Sequence, residues 1–196
     1  MGREQVSKPQ SVGEAAAGRR RFRPFTAAVG LVAAAALLVG GVAPASAVFY
    51  SGGMNSQSFC VQNPSVNSTW LSPINSGRNA WNNHASFPGT ISVFSGCTSV
   101  LRVGSYGATW FGLYTPLITG SQYEIRLDST NLNNHINANG YTFANVVKST
   151  TAHEFGHALR LGDHSNLTSR LMSGGRNRNV VTGPTTAEVN ESNGYY

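Results

Sequence analysis

His153 and His157 lie four residues apart in a proline-free stretch, Thr142 to Gly162, whose apolar residues recur at helical spacing. Phe143, Val146, Val147, Thr150 and Ala158 share one face of it. On a helix, residues four apart stand one turn above each other, so both imidazoles can point at a single ion about 2.0–2.1 Å away. Glu154, one position on, is rotated by about 100° and is free to act as a base toward a water held by that ion. Chance is expected to produce this pattern on the order of 0.005 times in a chain of this composition. Two satisfied surface histidines on an ordinary helix are therefore a poor explanation of it.

A third ligand must come from beyond that turn. Asp163, ten positions after His153, and its neighbour His164 are both chemically suitable, because zinc accepts carboxylate oxygen and imidazole nitrogen. Downstream, Leu171-Met172-Ser173-Gly174-Gly175 places a methionine in a turn-forming run.

The run from His153 to His164, His-Glu-Phe-Gly-His-Ala-Leu-Arg-Leu-Gly-Asp-His, resembles the zinc signature of the metzincin metallopeptidases. It is closest to matrixin-like bacterial secreted proteases and to the snapalysin type. The resemblance implies a zincin fold with His153, His157 and Asp163 as ligands of one zinc ion, Glu154 as general base, and Met172 as the hydrophobic floor of the site. It implies cleavage of protein or peptide substrates, bound as an added strand along Ala108–Tyr114 or Gln122–Asp128. One departure stands out. Where such signatures carry Gly this chain has Arg160. Either Arg160 takes a left-handed conformation, or the helix runs on to Leu161 and turns at Gly162, which would make His164 a credible substitute for Asp163 as third ligand.

The rest of the chain reads as an α+β (α/β) domain with a twisted mixed sheet of four to five strands, two long helices and a short C-terminal helix. Ser72-Pro73 is a helix start, with Ile74, Gly77, Trp81 and Ala85 following at helical spacing. Strands are expected over Thr90–Phe94, Ser99–Gly104, Ala108–Tyr114 and Gln122–Asp128, with at most one more before Asn63-Pro64. Asn131–Asn139 reads as a polar connection carrying His135, and His84 as the end of the first helix. Thr185-Thr186-Ala187-Glu188 is a capping box opening the last helix. The domain, residues 48–196, is expected to place its cleft between 48–162 and 163–196.

Residues 1–47 read as an export signal. Arg19-Arg20-Arg21-Phe22-Arg23 precedes an apolar run from Thr26 to Val42, then Pro44 and the small-residue triplet Ala45-Ser46-Ala47. The paired arginines fit either the general or the twin-arginine route. The leader holds six basic and two acidic groups, leaving 8 and 6 on the remainder, net +2. Such a charge is too small to steer a polyanion, so no nucleic-acid partner is expected. Secretion, a monomer without membrane attachment, and a Cys60–Cys97 disulfide complete the expectation. The spacing says nothing of a structural calcium. Arg176-Asn177-Arg178-Asn179 reads as a solvated basic patch. The alternative function is a secreted, zinc-stabilised binding or wall-associated module without catalysis.

Overall fold

A computed structural model describes residues 48–165 and 167–196; residues 1–47, expected to be an export signal, lie outside them. The elements follow in the order β1 (Phe59–Val61), α1 (Ser68–Asn82), β2 (Ile91–Val93), β3 (Val100–Gly104), β4 (Gly112–Ile118), β5 (Gln122–Asp128), α2 (Ser129–Asn139), α3 (Phe143–Ala158) and α4 (Thr186–Asn193). This is a mixed α+β architecture.

β5 organises the sheet. Tyr123, Ile125 and Leu127 are fully buried on one face, as the period of two requires. Glu124 and Arg126 pair on the other, and Arg102 of β3 joins them at 3.1 Å. β3 lies parallel to β5 on one side and β4 antiparallel on the other. β1 and β2 form a parallel pair, which a single bridge from Gln62 to Val100 ties to β3. The strands therefore form two small sheets, β1-β2 and β3-β5-β4, joined by that one bridge, instead of the single sheet of four to five strands expected; among the described residues no strand pairs with the outer edge of β4.

Three elements depart from the sequence expectation. α1 starts five residues before Pro73, because the Asn67 side chain accepts from the backbone N–H groups of Thr69 and Trp70 at 3.1 and 3.3 Å. The extra turn sets Trp70 against Phe143, ring centres 4.8 Å apart, which offsets the hydrogen bond that Pro73 cannot donate. Asn131–Asn139 is not a loop but most of α2, capped by Asp128 and closed by Gly140 at φ 63°. It buries Leu132 alone among its residues, so no apolar stripe announced it. β4 lies four residues beyond the expected Ala108–Tyr114; Pro116, a poor central-strand residue, is tolerated on this edge strand.

α1 and α3 cross closely under a core that includes Trp81, Ile74 and Phe155. The Trp81 indole N–H donates to Ala152 O of α3 at 2.8 Å. The expected capping box is present: Thr185 and Glu188 satisfy each other's backbone at the start of α4. The expected disulfide also forms, joining Cys60 of β1 to Cys97 beyond β2. Closing a loop of 37 residues should stabilise the fold by roughly 3–4 kcal/mol. Replacing both cysteines with serine should therefore lower the unfolding free energy by about that amount in denaturant titration; a loss under about 1 kcal/mol would contradict the estimate. No helix among the described residues is long and apolar enough to cross a membrane.

Candidate metal centre

α3 ends at Ala158, and two residues later Arg160 adopts φ 67°. Of the two expected exits from the helix, the chain takes the left-handed one, and Gly162 is not the turning residue. That conformation costs about 1–2 kcal/mol in a non-glycine residue. The side chain holds it: Nε donates to Met54 O at 2.8 Å, Nη2 donates to Asn55 Oδ1 at 2.7 Å, and the guanidinium lies over the rings of Phe49 and Tyr196. Residues preceding Asn55 thereby clamp the exit. Tyr50 N donates to Arg160 O at 2.8 Å, Met54 N to Ala158 O at 2.8 Å, and Gly162 N to Val48 O. Val48 N in turn donates to Glu191 Oε1 of α4 at 3.0 Å.

The turn has two consequences for the histidines. It brings Leu161 O back to His157 Nδ1, 2.8 Å away, and it swings Asp163 over the helix face. Asp163 Oδ1 then stands 3.2 Å from His153 Nε2 and 3.9 Å from His157 Nε2. One ligand atom from each of the three residues lies within 4.8 Å of the others. Tetrahedral bonds of about 2.0–2.1 Å need ligand atoms roughly 3.3 Å apart, so closing by an ångström or so would complete such a set. His164, the other expected third ligand, is not part of the group. Its buried ring turns away, placing Nε2 3.4 Å from Glu191 Oε2.

Orientation of the rings suits a cation. His153 Nδ1 lies 2.8 Å from Leu171 O, so a proton on Nδ1 donates to that carbonyl and leaves the Nε2 lone pair facing Asp163. Arg176 Nη1 also approaches Nδ1, at 3.0 Å, but its hydrogens have Ser173 O at 2.9 Å as an acceptor. Burial is the main cause that lowers the His153 pKa; Asp163 acts the opposite way, and the Arg176 charge adds to the lowering. Arg176 is a correction to the sequence reading: it is 3% exposed, not solvated. Its guanidinium bonds Ser149 Oγ, Ser149 O and Ser173 O, locking the loop after Met172 to α3, and burial brings its pKa down to about 9.

Met172 is fully buried beneath the histidine turn, its sulfur against Gly156, where any Cβ would collide with it. Met172 N donates to Glu188 Oε1 at 2.7 Å, so the capping box of α4 also fixes the methionine turn. Glu154, 4% exposed, faces Gly112 of β4. A Cβ at Gly112 would collide with Glu154 Oε1 and sit 2.8 Å from Thr150 Cγ2, so only glycine leaves the carboxylate its place. His153, Glu154, His157 and Asp163 line an open cleft of ≈ 290 Å³ with Tyr50, Gly112, Leu113, Tyr114 and Gly162. Tyr50 packs on the His157 ring at 5.4 Å, and burial, then the charge of Glu154, raises its pKa, so the phenol stays a proton donor.

Sequence reasoning brought together His153, Glu154, His157, Asp163 and Met172. It missed Tyr50, Gly112 and Arg176, which reach the site only through tertiary packing. His84 and His135 lie elsewhere; His135 packs between Phe111 and Tyr141.

No family model and no curated protein matches the chain. Among solved structures, a chain of the one described as "GM1 bound form of the ECX AB5 holotoxin" aligns with a TM-score of 0.54 at 12% identity, over 74% of this chain and 85% of that one. At that identity the likeness concerns the fold alone.

Proposed function

We propose that this chain is a secreted zinc-dependent endopeptidase of the metzincin type, freed of residues 1–47 on export. One observation carries the reading: three zinc-compatible ligand atoms converge beside the buried carboxylate of Glu154 in an open cleft. His153 Nε2, His157 Nε2 and an Asp163 oxygen would hold the ion, with Met172 as the apolar floor.

Bound zinc supplies a Lewis acid that polarises the scissile carbonyl and brings the pKa of water toward about 7. Glu154 takes the proton from the attacking water and passes it to the leaving amine. Gly112 keeps room for that carboxylate, and Tyr50 lines the same cleft with a phenol that can donate. β4 is the edge strand and β5 is central, so a peptide substrate would pair with β4, whose Gly112, Leu113 and Tyr114 border the cleft.

The test is casein hydrolysis by purified protein, before and after treatment with a zinc chelator. Hydrolysis should disappear with the metal and return on adding one equivalent of zinc. Zinc binding without hydrolysis would move the chain to the alternative reading, a zinc-stabilised binding module. Hydrolysis indifferent to chelation would remove zinc from the account.

A further inference from the structure

Arg178 follows Met172 by six residues and reaches back over the end of β4. Its guanidinium carbon lies 4.5 Å from the centre of the Phe111 ring, and Phe111 immediately precedes Gly112 of the cleft. The side chain is half-buried and poorly satisfied. Nε is shut off from solvent without a partner, and Nη2 has one long bond, 3.4 Å to Gly174 O. Among the described residues no carboxylate comes within 4.0 Å of it. Burial lowers its pKa; Glu154 and Asp163 act on it through space in the opposite sense. Those two carboxylates already serve as base and ligand, and the remaining charged neighbour, Arg176, is another cation. A partly desolvated guanidinium in this state gains most from an incoming carboxylate, which it can grip through two parallel N–H groups.

The direction of a bound peptide says which part of it would meet Arg178. β4 runs from Gly112 to Ile118, and antiparallel pairing along its free edge is the more stable ladder. A peptide so paired runs from the Ile118 end toward the Gly112 end. Residues near Phe111 are then those after the scissile bond. At about 3.4 Å per residue, Phe111 lies some 7 Å from Leu113, a reach of one or two positions.

Resting on the peptidase reading, we propose that Arg178 forms a carboxylate-binding subsite on the leaving-group side of the cleft. The preferred substrates carry a carboxylate within two residues after the cleaved bond, supplied by an Asp or Glu side chain or by the peptide's own C-terminus.

The experiment uses a fluorogenic peptide series on the zinc-loaded protein. Members differ only at the first or second residue after the scissile bond, Asp, Asn, Glu, Gln or Leu, and in a free or amidated C-terminus two residues on. Wild type should cleave the Asp and Glu members, or the free-acid member, with kcat/KM at least about tenfold above the Asn, Gln or amide counterparts, chiefly through KM. Arg178→Gln should bring the ratio to within about twofold of one, Arg178→Lys should restore part of it, and Arg178→Glu should invert it. High salt should narrow it in wild type. A wild-type ratio near one, or a ratio that survives Arg178→Gln, overturns the proposal. Zinc content and melting temperature measured alongside separate a lost subsite from a lost fold. Where wild type cleaves none of the peptides, the peptidase reading fails on its own, and equilibrium binding of the acidic and amide peptides to wild type and Arg178→Gln decides the subsite by the same ratios.

Discussion

Replacing Glu154 with Ala is expected to lower peptide hydrolysis by about 10²–10⁴-fold while leaving zinc content at one ion per chain. The two halves of that result separate base from ligand. His153, His157 and Asp163 supply three ligand atoms without Glu154, so the carboxylate can be removed without dismantling the set. Its position is instead defined by what it faces. Gly112 leaves it room, and a methyl there would displace Oε1 or press on Thr150 Cγ2. Gly112→Ala should accordingly reproduce much of the kinetic loss, with zinc retained and little change in melting temperature, because Gly112 lies on an edge strand. Measuring kcat/KM and metal content for both variants checks the assignment. Zinc lost from Glu154→Ala would make Glu154 a ligand, and activity kept in it would remove the base.

Asp163→Ala is expected to weaken zinc binding by more than about 100-fold, the upper range for losing merely an outer partner of a ligand. His164→Ala should leave affinity unchanged. The neighbours differ because Arg160 turns the chain at φ 67°, which places Asp163 Oδ1 3.2 Å from His153 Nε2 and His164 Nε2 3.4 Å from Glu191. His164→Ala should act on stability. His164 Nε2 makes no hydrogen bond, and Glu191 would keep Arg170 Nη1 at 3.6 Å and Val48 N at 3.0 Å, so the expected cost of about 1–3 kcal/mol comes from the packing lost with the buried ring. Competition titration against a zinc chelator, paired with denaturant unfolding, reads both quantities. Weakened zinc binding in His164→Ala with Asp163→Ala unaffected would exchange the roles.

What could be read in advance was local. Two histidines at i and i+4 with a glutamate between them need only a helix to meet, and β5 shows its buried face in three alternate residues. The capping box at Thr185 and Glu188 likewise depends on neighbours alone. What escaped depended on distant partners. Asn67 caps α1 because Trp70 has Phe143 to pack on, a contact 73 residues away in sequence. α2 buries only Leu132, too little for a periodic signal. Arg176 looks solvated beside Arg178, yet it is buried because Ser149 and Ser173 supply its acceptors. Arg160 marked the helix exit as unusual, and the choice between Asp163 and His164 rested on Met54 and Asn55, more than a hundred residues earlier.

X-ray absorption on the purified protein, equilibrated with micromolar zinc, puts the metal site itself to the question. It should find one zinc per chain bound by two imidazole nitrogens and a carboxylate oxygen at about 2.0–2.2 Å, and no tightly bound zinc once His153 and His157 are both replaced by Ala. A protein that takes up no zinc, or one that holds it equally well without those two rings, would contradict the account.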